Sequence, residues 1–298
     1  MDAKRGLAAG QVPTAKDGRG RPFASALPEA EYRAWLARAL ADLPRASAPV
    51  EMAKAVLDQA GAAAVAAVRQ RHLSEVHCHV LPTPLGDLCL AYSDLGIVRA
   101  RLGATATTFA AEVAAALDIQ LVADEVPPTR VARLVADFFS GKRLPLEAFD
   151  LATEKEFERG VLAAALAIPW GEVRSYAWLA REVGQPGAAR AVGQALGRNP
   201  VPVLIPCHRA VRSDGGLGGY AFGLELKQRL LALEGVDLSD LERQARAGVR
   251  YLGSRTTGVY CLPTCRHARR VATANLVTFR SASEAEAAGF RACRVCRP

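Results

Sequence analysis

The sequence predicts a fold that is α/β and α in class, ending in a small α+β module. Three observations carry that expectation. Two strand-like runs over 85–92 and 96–102 flank Ser93, Asp94 and Leu95 and read as a hairpin. Helical segments follow, and two short ones meet at a Gly-Gln-Pro-Gly break over 184–187, the pattern of a helix-turn-helix. Four of the seven cysteines, Cys261, Cys265, Cys293 and Cys296, crowd into the carboxy-terminal tail.

Taken in order, residues 1–26 are rich in Gly, Pro and charge and read as a disordered lead-in. Tyr32, Leu36, Leu40 and Leu43 recur at helical spacing, and an Ala-rich helix is expected over 49–70, so 27–75 is a helical segment without assignable chemistry. From His77 the pattern is strand-like, and helices over 108–118 and 129–140 complete an α/β unit spanning 76–150. Thr153 and Glu156 have the spacing of a capping box before a helix bearing Phe157, Val161, Leu162 and Leu166. Helices over 175–183 and 188–196 belong to a second unit, 151–237. The second of these is studded with Gly and Ala, which lets its backbone approach a groove closely; by composition alone, tight internal packing is the commoner meaning. Residues 238–249 are charged and polar, a linker or helical extension, and 250–298 form the last module.

The chain of 298 residues is half hydrophobic, enough for two or three globular domains, and its formal charge is +8. Within 250–298 nine arginines face two glutamates, so +7 of that charge lies in the tail. Arginine without lysine suits a polyanion, because guanidinium forks match phosphate oxygens. The first residues are basic but lack an apolar segment of signal-peptide length behind them. The longest uncharged stretch near the front, 59–68, is too short to span a bilayer. The expectation is therefore a cytoplasmic or nucleoid-associated protein without a membrane partner, with its thiols reduced.

Cys207 closes an apolar run over 201–206, read as a strand ending at Pro206, and is followed at once by His208 and Arg209. A lone cysteine after an apolar run is usually an inert core residue, but an adjacent imidazole can draw off its proton, and thiolate is the nucleophile. The four tail cysteines are spaced C-x3-C, then 27 residues, then C-x2-C. Two close pairs of this kind supply a tetrahedral thiolate set for zinc in a reducing compartment.

The stretch NPVPVLIPCHR over 199–209 resembles the active-site signature of the O6-alkylguanine-DNA alkyltransferases. The resemblance extends through GEVRSY at 171–176, AARAV at 188–192, GGY at 218–220 and LLALEG at 230–235. It implies a two-part protein: a small three-stranded sheet with helices, then a helical, winged-helix-like catalytic domain. It also implies irreversible transfer of a methyl or alkyl group from O6-alkylguanine, and O4-alkylthymine, to Cys207 after the base is flipped from double-stranded DNA. In that resemblance His208 takes the thiol proton through a water and Glu234 orients it. Tyr176 assists flipping and protonates the departing base, and Asn199 braces the turn. Arg190, with Ala189 and Gly193 on the recognition helix and Tyr220 on the covering loop, meets the DNA. Ala221 stands where some relatives carry a hydroxyl or charge, so the accepted alkyl size is open. Each molecule acts once, as a monomer.

The words around the tail cysteines, RTTGVYCLPTC at 255–265 and AGFRACRVCRP at 288–298, are similar to the Ada metal-binding domain. That likeness implies zinc on Cys261, Cys265, Cys293 and Cys296, with methyl transfer from DNA phosphotriesters to Cys261 and backbone contacts from Arg266, Arg269 and Arg270. A purely structural zinc knuckle is the alternative. Unlike the familiar arrangement, the module follows the alkyltransferase, and no segment is long enough for activator helix-turn-helices. Transcriptional control by this chain alone is therefore not expected, although a methylation-dependent DNA-binding sensor is the rival to repair. A cysteine hydrolase using Cys207 and His208 is a more distant rival, because no hydrolase motif accompanies the pair.

Overall fold

The computed structural model describes residues 76–298, and the expected lead-in and helical segment of 1–75 lie outside them. The chain divides into two compact units, up to Arg133 and from Leu134 to Pro298. The division falls within helix α2 (Thr129–Phe139), earlier than the 150/151 boundary expected from sequence.

The first unit is built on β1 (Val76–Thr83), β2 (Gly86–Ser93) and β3 (Gly96–Leu102), an antiparallel meander whose second hairpin turns where the sequence places it. Arg130 secures that turn by donating to the carbonyls of Asp94 at 2.6 Å and Ser93 at 2.5 Å. Cys89 and Ala91 share one face of β2, as period-two alternation requires, and pack with Val76 against Phe109 and Val113 of α1 (Ala106–Leu117). The expected three-stranded sheet has a fourth member. β4 (Leu121–Ala123) runs parallel to β1, giving the order β3-β2-β1-β4. At three residues it is too short to show alternation in sequence, and pairing with β1 is what makes it a strand.

The second unit begins its helical part with α3 (Glu156–Leu166). The expected Thr153/Glu156 box does not form: Thr153 bonds Glu154 instead, and the helix starts two residues later than that box requires. Lys155 occupies the cap position and its backbone N–H donates to Glu158 at 3.4 Å. The helix-turn-helix is present as α4 (Tyr176–Glu182) and α5 (Ala189–Gly197). Ser175 caps α4 by accepting from the Trp178 N–H at 3.0 Å. Val192, Ala195 and Leu196 face inward from α5 at helical spacing.

The apolar run over 201–206 is not a strand. It is a buried turn in which the Ile205 N–H returns to the Val201 carbonyl at 2.9 Å and Val203 adopts φ 74°. Pro202 and Pro206 remove ladder donors, and a β-branched residue at positive φ is incompatible with a strand. Cys207–Arg209 continue as a 3-10 turn. β6 (Ala210–Val211) then pairs parallel with β5 (Arg174–Ser175). The helices α6 (Leu224–Leu233) and α7 (Leu238–Arg246) follow. The segment read as linker or extension is thus a helix, capped by Asp237, with Leu241 inserted among Val173, Val211, Leu217, Leu231 and Val236. Its apolar stripe is only Leu241 with the half-buried Leu238, too sparse to declare a core face from sequence.

The tail folds as a four-stranded sheet, order β10-β8-β7-β9, from β7 (Tyr251–Ser254), β8 (Val259–Cys261), β9 (Leu276–Phe279) and β10 (Arg291–Ala292), with α8 (Ala282–Ala287). It belongs to the same compact unit as the helix-turn-helix. Among the described residues no helix is long and apolar enough to cross a membrane.

Because Leu241 is 7% exposed within that cluster, Leu241→Ala should destabilise the protein by about 2–4 kcal/mol in chemical denaturation. A linker residue would show no measurable change.

Candidate active site

Cys207 and His208 are presented by the 3-10 turn that leaves the proline-bounded loop, and both are buried. Asn199 fixes that loop. Its side-chain oxygen accepts from the Val201 N–H at 3.0 Å, while its amide donates to the Ile205 carbonyl at 2.9 Å and to Cys207 Sγ at 3.1 Å. One side chain therefore braces the turn and touches the thiol. Tyr220, assigned to DNA contact by resemblance, has its hydroxyl 3.9 Å from the same sulfur. Burial pushes the Cys207 thiol up, and the bonds from Asn199 and Tyr220 and the charge of Lys227 oppose that rise.

Behind the thiol lies a buried ion cluster. His208 Nε2 and Glu234 Oε1 are 2.7 Å apart. Arg209 grips the same carboxylate through Nε at 2.8 Å and Nη2 at 2.9 Å, and the Gly171 N–H donates to it at 3.3 Å. Burial alone would raise the Glu234 carboxyl. The facing His208 ring and the Arg209 guanidinium reverse that and hold it at about 2. Burial lowers His208, against the opposing pull of the Glu234 carboxylate. Its second nitrogen, Nδ1, is buried and has no hydrogen-bond partner among the described residues, leaving it as the site for an incoming proton. The edge of the His208 ring meets Phe138, and the Arg209 guanidinium lies over Phe138 and Trp170 at 5.8 and 5.6 Å.

In front of the thiol opens a cavity of about 1300 Å³ lined by Cys207, Tyr176, Tyr220, Ala189, Arg190 and Gly193, among others. Six of the residues singled out in the sequence thus meet at one opening. Arg190 is exposed on α5, and the Tyr176 ring lies beside Gly193, 4.0 Å from where a Cβ would stand. Gly218, at φ +70°, passes even closer to Tyr176, whose hydroxyl donates to the Gly219 carbonyl at 3.2 Å. A side chain at 218 would strain the backbone and collide with the tyrosine.

Two contributors carried no assigned role at the level of sequence. Arg209 was part of the active-site signature, but its grip on Glu234 depends on a residue 25 positions away. Lys227 is fully buried and donates to the carbonyls of Ala210 at 2.6 Å and Leu217 at 2.5 Å. Burial lowers it to about 8, with the Cys207 charge opposing. In sequence it is indistinguishable from a solvated helix lysine.

The four tail cysteines form a second cluster. Their sulfurs lie within 4.8 Å of one another and all four residues are buried. A tetrahedral ion at ~2.3 Å from each sulfur needs S···S separations of about 3.8 Å, so the set fits a metal with little movement. Backbone N–H groups point at it, with Leu262 donating to Cys296 at 3.4 Å and His267 and Ala268 to Cys265. Such donors suit thiolate ligands. Hydrogen bonds from Cys261 and Cys296 favour the thiolate at Cys265. Cys261 and Cys293 are 4% and 6% exposed, whereas Cys265 and Cys296 are fully enclosed. Arg266, Arg269 and Arg270 are exposed beside the cluster, with the Arg269 guanidinium next to Gly171.

Comparison with known proteins adds names to this geometry. A family model described as the DNA-binding domain of 6-O-methylguanine DNA methyltransferase matches residues 156–236, and one described as the metal-binding domain of Ada matches 241–298. A methylated-DNA–protein-cysteine methyltransferase of Methanosarcina barkeri is 49% identical over 106 residues, covering 35% of this chain and 65% of that one. One from Mycobacterium leprae is 38% identical over 174 residues, covering 53% of this chain and 92% of that one. The crystal structure of Mycobacterium tuberculosis OGT in complex with DNA is similar over 56% of this chain and 99% of that chain, at 30% identity and a TM-score of 0.45. The match spans less than two thirds of the M. barkeri relative and 59% of one from Mycolicibacterium paratuberculosis.

Glu234→Gln should cost about 3 kcal/mol or more, because it leaves Arg209 buried without its counter-charge. The cluster also predicts acid lability. A carboxyl held at about 2 rather than 4.5 stabilises the fold above 4.5 and loses that contribution as pH falls toward 2. A His208 ring held below 6.5 adds loss below that value, since only the unfolded chain takes up the proton readily. Melting temperature should fall on acidification in the native protein, with the Glu234→Gln curve flatter at its acid end. Lys227→Gln should move the titration of Cys207 to higher pH, read from the pH dependence of its alkylation by iodoacetamide.

Proposed function

Because the chain belongs to the methylated-DNA–protein-cysteine methyltransferase family, we propose that it repairs DNA by moving an alkyl group from O6-alkylguanine, and from O4-alkylthymine, onto Cys207. The single observation that carries this reading is the thiol at the floor of an open cavity, backed by the His208–Glu234 pair. His208 Nδ1, without a hydrogen-bond partner among the described residues, takes the thiol proton through a water, and Glu234, held in place by Arg209, stabilises the charge this places on the ring. The sulfur then attacks the alkyl carbon. An S–C bond forms, the C–O6 bond breaks, and its electron pair goes to the purine. Burial holds the Tyr176 phenol in its protonated form, so it is able to give its proton to the departing base. The thioether has no leaving group of comparable ease, and the protein acts once.

Reaching the thiol requires the base to leave the duplex. The small residues Ala189 and Gly193 let α5 lie close to a groove, and exposed Arg190 is placed to fill the stack the base has left. Arg266, Arg269 and Arg270 would meet phosphates, in keeping with the basic tail.

For the tail, Cys261, Cys265, Cys293 and Cys296 would hold zinc, which keeps bound sulfur deprotonated at neutral pH. Cys261 attacks the methyl carbon of a backbone phosphotriester, the C–O bond breaks, and the phosphodiester anion leaves. Position in the Ada-like pattern supports the choice, since Cys261 and Cys293 differ little in exposure, at 4% and 6%. The relatives named above are methyltransferases, which favours repair over a stand-alone sensor.

Mass spectrometry of peptides after exposure to labelled DNA tests both halves. O6-methylguanine DNA should add methyl to Cys207, and Cys207→Ala should abolish that label while leaving phosphotriester methyl on Cys261. His208→Gln should slow transfer to Cys207 by about 10²-fold or more in single-turnover kinetics. Undiminished transfer from O6-methylguanine in Cys207→Ala would overturn the assignment.

A further inference from the structure

The segment 171–175 serves the Cys207 site in three ways. The Gly171 N–H bonds Glu234, β5 pairs with the strand that leaves Arg209, and Ser175 caps the helix whose first residue is Tyr176. The four-cysteine module grips this same segment. Thr264, between Cys261 and Cys265, accepts from the Val173 N–H at 2.9 Å and donates to the Val173 carbonyl at 3.3 Å. Beyond Cys265, the Arg266 N–H donates to Glu172 Oε1 at 3.0 Å, while Glu172 Oε2 receives Arg174 at 2.5 Å. From the second cysteine pair, the carbonyls of Cys296 and Arg297 accept the Trp178 indole N–H at 2.9 and 3.0 Å.

The atoms these contacts hold on the 171–175 side are buried, and the Val173 carbonyl also receives Arg174 Nη1 at 2.9 Å. Val173 is 5% exposed and Glu172 1%, so losing the Thr264 hydroxyl would leave the Val173 N–H, and losing the Arg266 contact would leave Glu172 Oε1, short of a partner in the interior. A three-residue loop pinned at both ends by ligated sulfurs has little freedom, so it presents the Thr264 hydroxyl at one place.

We propose that Thr264, Glu172 and Trp178 are positioning residues for transfer at Cys207: through them the four-cysteine module braces segment 171–175 and thereby orients Glu234 and Tyr176. This rests on the transfer reading given above. It makes the module part of the base-repair machinery, in addition to any chemistry at Cys261. Loss of the metal would then impair the distant thiol.

The test uses the full chain loaded with zinc and compares Thr264→Val, which keeps shape but removes the hydroxyl, with Thr264→Ser, which restores it. Amide hydrogen exchange over 171–175 is read beside the single-turnover transfer rate and, separately, DNA affinity. Thr264→Val should speed exchange at Val173 about 3- to 10-fold and slow transfer by a similar factor, with DNA affinity unchanged and Thr264→Ser near native. Native exchange in Thr264→Val overturns the brace, and faster exchange with native transfer overturns its positioning role. If Thr264→Val loses zinc or unfolds, Trp178→Phe, which leaves the 261–265 loop intact, must show the same paired changes or the proposal fails. A native chain that transfers no methyl overturns the Cys207 reading, and the exchange comparison then decides the brace by itself.

Discussion

The buried carboxylate of Glu234 is the constraint on which the arrangement around Cys207 depends. An ionised carboxyl in a protein interior is tolerable only when its oxygens are satisfied, and here the partners come from two stretches of chain distant from its own. Arg209 and His208 arrive from the turn after the proline-bounded loop, the Gly171 N–H from the loop after α3, and Glu234 itself from the end of α6. Satisfying one charge therefore locks three segments together. Since Cys207 precedes His208 directly, the lock also places the sulfur.

The thiol is held under opposing influences. Burial favours the neutral form, which keeps the sulfur from reacting indiscriminately, while Asn199, Tyr220 and Lys227 favour the anion. The balance is set by groups that are themselves rigid. Asn199 spans its own loop with three hydrogen bonds, and Lys227 is anchored on backbone carbonyls. On the open side the wall is made of small residues, Ala189, Gly193 and Gly218, against the Tyr176 ring. Shape there comes from the absence of side chains as much as from their presence.

The carboxy-terminal module is joined to this arrangement by more than chain connectivity. Its ligand loop and its last cysteine both meet the segment between Gly171 and Trp178, through paired hydrogen bonds and a buried carboxylate. Arg174 and Arg297 each place a guanidinium over the Trp178 ring, at 5.5 and 5.8 Å. The two centres, one thiol with its imidazole and one set of four sulfurs, are thus connected through a short run of backbone.

Much of the chemistry was legible in the sequence because it is local. The thiol beside an imidazole, the spacing of the four cysteines, the Gly-Pro break between two short helices and the arginine-rich tail are all statements about neighbours in the chain. What sequence left undecided is long-range. β4 exists only because β1 offers a ladder, and 201–206 reads as a strand until Asn199 and Val203 turn it. The charged segment after Gly235 became core through one leucine, and Lys227 became an electrostatic partner of the thiol through burial. Residue identity and spacing determine which groups can react, whereas desolvation and the pairing of buried charges decide their ionisation, and those exist only once distant segments have packed.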